Sequence, residues 1–220
     1  MYLSDGHLVL SPSDVVNHLA CEHLTQLNLL VTRGEAEKPT ASRSEVELIQ
    51  RLGDEHELAY LAQLKASDLR VVEVAAAEHG IDGLRQAHAD TLAAMHEGAD
   101  VIFQATFFDG TWRGHADFLL RTPPGSPTTL GDYGYEPYDT KLARTAKVSA
   151  LVQLADYATH LEAIQGVRPK RVHIVLGNRQ ITSFATHDVA AFHRRARTRL
   201  LAATEPSGRA AGQPRPIPIR

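Results

Sequence analysis

The chain has 220 residues, 43% of them hydrophobic, and no apolar run long enough to span a membrane, which suits one globular domain with small additions and no membrane partner. It lacks the basic-then-apolar start of a signal peptide, and its single Cys21 cannot close an intramolecular disulfide, so a cytoplasmic protein is expected. The formal net charge of -3 hides a segregation: residues 1–140 carry 9 Lys and Arg against 22 Asp and Glu, and residues 141–220 carry 14 against 4. Such asymmetry fits a surface that meets a polyanion, and equally a solvated basic helix near the C-terminus.

The run LSPSDVVNHLACEHLTQLNLLVTRG predicts one helix, with Ser11 as N-cap, Pro12 at the first helical position, Asp14 near the capping-box position and Gly34 as stop. EAEKPTASRS reads as a loop, and a second helix is expected over Glu45 to Ala66. LRVVEVAA reads as a short strand, and IDGLRQAHADTLAAMHEG as a helix stopped by Gly98. DVIFQATFF and TWRGHADFLLR around Asp109-Gly110 form a hairpin signal, and YEPYDTKLA is the next strand. KVSALVQLADYATHLEAIQG is a helix closed by Gly166, RVHIVLGN and QITSFAT are two paired strands, and DVAAFHRRARTRLLAAT is a final basic helix. Residues 206–220, rich in Pro, Gly and Arg, read as a flexible tail to a domain spanning 1–205. The order predicts an α/β fold with a mixed central sheet flanked by helices.

Asp139 and Lys141 are two positions apart on an extended segment, so they point the same way while Thr140 points opposite. Asp117 stands in GHADFLL, a strand otherwise suited to a core, and a hairpin-like order sets it beside the Asp139 strand. Two such carboxylates can share a hard cation at about 2.0–2.1 Å. A cation so held lowers the pKa of a bound water and neutralises phosphoryl charge, and an adjacent lysine can serve that water. Taken alone, Asp139 and Lys141 read equally well as a surface pair on an edge strand. In the Glu45 helix, Ile49, Leu52, His56 and Ala59 follow spacings of three and four, which places His56 inward as a third ligand or as a hydrogen-bonded core residue. Gly53 sits mid-helix, where it costs about 1 kcal/mol relative to Ala, and a close backbone approach would explain it. Gln153 and Tyr157 share one face of the later helix.

The order GDEHE on a helix, GHADFLL and YDTK on strands and QLADY on a helix resembles the RecB-like nuclease branch of the PD-(D/E)xK superfamily, over about Leu10 to Thr204. The resemblance implies a restriction-endonuclease-like fold and metal-dependent hydrolysis of phosphodiester bonds in DNA, exonuclease-like on single-stranded ends or flaps, in repair or processing. It implies that His56, Asp117 and Asp139 bind Mg²⁺ or Mn²⁺, that Lys141 serves the attacking water, and that Gln153 and Tyr157 support the site. It also implies DNA, single-stranded for preference, and a fused or separate helicase or nuclease domain as partners. The chain is similar to a subgroup, related to CRISPR-associated RecB-like nucleases and often much longer, in which one N-terminal and three C-terminal cysteines hold a 4Fe-4S cluster. Cys21 matches the first position as a vestigial ligand and the other three are absent, so no cluster is expected in this chain alone and Cys21 is expected to be a buried free thiol. Arg168, Lys170, Arg171, Arg194, Arg195, Arg197 and Arg199 are the candidate phosphate contacts. The rival readings are a binding module that holds nucleic acid without turnover, and a metal hydrolase of small phosphoesters.

Overall fold

The structure is a computed structural model that describes residues 1–38 and 43–205. The expected tail, 206–220, and part of the expected EAEKPTASRS loop lie outside the described residues. A short hairpin that periodicity does not signal opens the chain: β1 (Tyr2–Ser4) pairs with β2 (His7–Val9) across Asp5-Gly6. The expected first helix is two, α1 (Pro12–Ala20) and α2 (Glu22–Thr32), broken where Cys21 adopts an extended backbone. Asp14 reaches back as predicted and accepts the Ser11 N–H at 2.9 Å. There follow α3 (Arg43–Lys65), β3 (Val71–Glu73), α4 (Gly80–His96), β4 (Val101–Phe108), β5 (Arg113–Arg121), β6 (Tyr135–Lys141), α5 (Val148–Gln165), β7 (Arg171–Leu176), β8 (Ile181–Ala185) and α6 (Thr186–Thr204). Gly166 closes α5 in the left-handed conformation, as the sequence predicts.

Strands β3 to β8 form one sheet whose spatial order follows the chain. β3 and β4 are parallel across α4, β4, β5 and β6 form an antiparallel meander, β6 and β7 are parallel across α5, and β8 returns antiparallel. This is the mixed, helix-flanked α/β sheet the sequence predicts, compatible with a restriction-endonuclease-like fold. Alternation along the strands explains the two faces. Val101 and Phe118 pack with Tyr60, Leu61 and Leu64 of α3. Their neighbours Ile102 and Leu119 join Met95 of α4 and Leu154 and Leu161 of α5 in the main core. α5 is covered on its outer side, where Val152 meets Val15 of α1, Trp112, and Ala196 and Leu200 of α6. Among the described residues no helix is long and apolar enough to cross a membrane.

The phase of α3 differs from the expectation. Ile49 is 63% exposed and Leu52 42%, and Ala59 also faces solvent. The inward stripe runs instead through Glu57, Tyr60, Leu61 and Leu64, because only the C-terminal half of the helix has a sheet to cover. A Cβ at Gly53 would meet nothing within 4 Å, so no close backbone approach explains that glycine.

Candidate active site

The site lies where β5 and β6 part. Their ladder runs from Arg121↔Tyr135 to Phe118↔Tyr138 and stops. One step further, the same register would set Asp117 against Asp139. Instead the Thr140 N–H donates to Asp117 Oδ2 at 2.6 Å, and the Thr140 hydroxyl donates to the same oxygen at 2.8 Å. A carboxylate has taken the place of a strand carbonyl, and β6 continues beside β7 alone through Asp139↔Ile174 and Lys141↔Leu176. The parting also shifts the alternation: Ala105 and Ala116 lie on the same side as Ile102 and Leu119, three steps away. Gln104, opposite Asp117, absorbs the extra half-period with a left-handed backbone, φ 56°.

Asp139 and Lys141 face the same way, as the spacing predicts, with Lys141 Nζ 2.6 Å from Asp139 Oδ2. Asp139 is fully buried; Lys141 faces its Oδ2, and its Oδ1 has no hydrogen-bond partner. Burial, and next the charge of Asp117, push its carboxyl up to about 7 against the pull of Lys141. Burial works to lower the Lys141 ammonium, but Asp139, Asp117 and Glu57 outweigh it and raise its pKa, so the lysine is held in its charged form.

The residue α3 sends to this cluster is Glu57, where the sequence reading placed His56. Glu57 accepts a hydrogen bond from Gln104 Nε2. Burial, and next Asp117, raise its carboxyl to about 7, with the Gln104 hydrogen bond opposing. His56 Nε2 lies 3.3 Å from the Val175 carbonyl. A carbonyl only accepts, so that nitrogen carries the proton and offers no lone pair to a metal. The one signal for Glu57 in the sequence is that GDEHE holds an acid next to the histidine.

Gln153 and Tyr157 do share a face of α5, and Gln153 Nε2 donates to Tyr157 Oη at 2.6 Å. Tyr157 is buried, and burial first and Asp139 next hold its hydroxyl well above its ordinary pKa. A Cβ on Gly114 would come 3.0 Å from Tyr157 Cε1. The glycine that opens GHADF therefore lets this ring approach β5 closely.

Three carboxylates, Glu57, Asp117 and Asp139, are the kind of donors that a hard divalent cation takes. Burial first and the charge of Asp117 next raise Glu57 and Asp139 to about 7, and Asp139 Oδ1 has no hydrogen-bond partner. The donor chemistry fits the ion. The geometry is open: Glu57 is held by Gln104, Asp117 by Thr140 and Asp139 by Lys141, and among the described residues no three His, Cys, Asp or Glu side chains are already drawn together as a metal shell.

The candidate phosphate contacts do not form one free face. Arg168 is bonded to Glu162 at 2.7 Å, and Arg199 is paired with Glu22. Arg197 is 17% exposed, stacks 4.0 Å over the Trp112 ring and stands 3.4 Å from both Asp109 and Asp156. Arg171 lies at the start of β7, level with Glu136, five residues before Lys141 and so roughly 16 Å along the sheet. Lys170 precedes it. Arg194 and Arg195 are exposed on α6 without an ion-pair partner among the described residues.

Sequence reading missed a second polar cluster. Asp156, fully buried on α5, lies 3.1 Å from His193 Nε2, and His160 Nε2 stands 3.5 Å from its other oxygen. Burial works to raise the Asp156 carboxyl, but His160, His193 and Arg197 outweigh it and hold it well below the usual range. Cys21, expected to be buried, is exposed at the α1–α2 break, because the break turns it out of both helical faces. Of its neighbours, His18 is buried against Thr25 at 3.0 Å and His23 is exposed, so the three do not converge. No protein-family model matches the chain, and no curated protein matches it.

Proposed function

We propose that the chain is a divalent-metal-dependent nuclease that hydrolyses phosphodiester bonds of DNA, acting for preference on single-stranded ends or flaps. The observation that carries this reading is the split between β5 and β6, which leaves buried Asp139 beside Lys141 with Asp117 at the point of divergence. Asp117 and Asp139 are the residues that would hold Mg²⁺ or Mn²⁺, with Glu57 as the third carboxylate in place of His56. When bound, the cation neutralises charge on a phosphoryl oxygen and lowers the pKa of a bound water. Lys141 keeps its proton among three carboxylates, so Nζ donates to and orients the attacking water rather than deprotonating it. As the water oxygen bonds to phosphorus the ester P–O bond breaks, the proton the water loses passes to bulk solvent, and the leaving oxygen takes up a proton from solvent water. Gln153 fixes the Tyr157 hydroxyl, and Tyr157 closes the buried side of the site against solvent.

The test is cleavage of end-labelled single-stranded DNA by the full chain with Mg²⁺, with Mn²⁺ and with EDTA. Products in either metal, none in EDTA and none with Asp139→Asn are expected. No products in either metal would remove the activity, and DNA binding without cleavage would assign a binding module in its place.

A further inference from the structure

Beside the carboxylates lies a groove of about 670 Å³, whose lining includes Tyr2, His79, Gln104, Thr106, Arg113 and His115. Gln104 joins it to the site, since the same side chain donates to Glu57. The groove is large enough for a nucleotide or two and too small for a duplex. Its lining holds one arginine, Arg113, and one carboxylate, Glu78, which is not paired with it. A guanidinium has only donors, so Arg113 Nη1 donates to His115 Nε2 at 3.2 Å. The other ring nitrogen, Nδ1, then carries the hydrogen and donates to Thr106 Oγ1 at 3.1 Å. This relay holds the guanidinium in place and satisfies one of its donors. No carboxylate among the described residues pairs with Arg113, and its buried Nε has no hydrogen-bond partner. Its guanidinium carbon lies over the Tyr2 ring, 5.2 Å from the centre, and its Nη2 has no hydrogen-bond partner among the described residues.

A fixed, partly buried arginine without a counter-ion is a receptor for a planar pair of anionic oxygens, and phosphate is the anion that Arg recognises in this bidentate way. Arg113 starts four residues before Asp117, but its guanidinium reaches to His115, which precedes Asp117 by two residues on β5, about 7 Å along the strand. That separation is comparable to one nucleotide step of an extended single strand. We infer that Arg113 binds a backbone phosphate of single-stranded nucleic acid, one nucleotide from the bond that is cut, with its nucleoside seated in the groove beside Tyr2. The inference rests on the nuclease reading for the position of the cut bond, but the binding itself does not require turnover.

The experiment measures binding of fluorescein-labelled tetrathymidylate to the full chain in EDTA by anisotropy across a salt series. Arg113→Gln should weaken binding tenfold or more, because it removes charge-assisted hydrogen bonds. It should also lower the log–log salt slope by about 0.7, one phosphate of a single strand. Arg113→Lys keeps the charge without the fork and should fall between. In the unmodified protein, where misfolding is not in question, the oligonucleotide should slow amide hydrogen exchange over residues 74–80, which line the groove. Unchanged affinity and slope in Arg113→Gln, or unchanged exchange over 74–80, overturns the inference. Arg113-dependent binding by a protein that cleaves nothing in Mg²⁺ or Mn²⁺ supports the groove and sinks the nuclease reading. Metal-dependent cleavage with Arg113-independent binding does the reverse.

Discussion

Each carboxylate of the cluster has its own restraint, and single substitutions should separate them. Asp117→Asn and Asp139→Asn each remove an anionic donor and should abolish cleavage and weaken Mn²⁺ binding, read by isothermal titration. Lys141→Ala should leave Mn²⁺ affinity intact yet slow hydrolysis roughly 10²–10³-fold, the range for removing one preorganised donor. Parental rates in Lys141→Ala would make the lysine structural. The two helix residues give a sharper contrast. Glu57→Gln should lose both metal affinity and rate, whereas His56→Ala should keep its metal affinity and lose about 1 kcal/mol of stability with the hydrogen bond to the Val175 carbonyl. The reverse ranking would restore His56 as the ligand. The placement of Asp139 with Lys141 and of Gln153 with Tyr157 was legible because local spacing decides it: a period of two aims the first pair together, and a step of four aligns the second. Glu57 was not legible, because helix phase is read from apolar residues, and on α3 the apolar Leu48, Ile49, Leu52 and Leu58 all face solvent.

The sequence of strands and helices from β3 on, the β4–β5 hairpin and the last hairpin were readable from periodicity and stop signals, since each element buries one face of its own. What was not readable depends on how elements meet. The break at Cys21 lies inside a continuous helical pattern, and the parting of β5 from β6 falls inside two uninterrupted strand patterns, marked in the structure by the left-handed backbone of Gln104. Helix α6 shows the same limit, because periodicity cannot tell a free arginine from a buried one. Arg197 belongs to the Asp156 cluster, and Arg194 and Arg195 belong to the surface. Asp156→Ala should therefore cost about 3–5 kcal/mol in urea unfolding, since it leaves Arg197 and two imidazoles around an emptied buried site. Arg194→Ala and Arg195→Ala should stay within about 0.5 kcal/mol of the parent. If either residue contacts a phosphate, its loss should lower the salt slope of single-strand binding by about 0.7. A cost below about 1 kcal/mol for Asp156→Ala would show that the cluster is not holding α5 and α6 together. Gly53→Ala should raise stability by about 0.5–1 kcal/mol, because the added methyl meets open space on a helix.

Across the molecule, the charge segregation along the sequence is partly consumed by pairing between its halves: Arg199 with Glu22, and Arg197 with Asp109. In the carboxylate cluster three acids share one lysine, and this cluster should govern how stability depends on pH. Asp139 and Glu57 titrate near 7 in the folded chain, against about 3.9 and 4.3 when unfolded. Between those values the folded state binds more protons than the unfolded state, so metal-free stability should fall as pH rises from about 4 through about 7. Asp156 acts in the opposite sense. Its folded pKa is depressed, so its contribution is present above about 4 and is lost as pH falls further. Together the two effects place the metal-free optimum on the acid side of neutrality. A divalent cation competes with the protons for the same oxygens. Its stabilisation, about 2.7 kcal/mol at a hundred times its dissociation constant, should be large at about pH 8 and small at about pH 5. Thermal unfolding in EDTA and in saturating Mg²⁺ at both pH values measures this. The midpoint should drop from the acid to the alkaline buffer in EDTA, Mg²⁺ should restore it only in the alkaline one, and Asp139→Asn should flatten both responses. A midpoint that ignores Mg²⁺ at about pH 8 would mean that the three carboxylates do not close on a cation, and that Lys141 is the only positive charge the cluster uses.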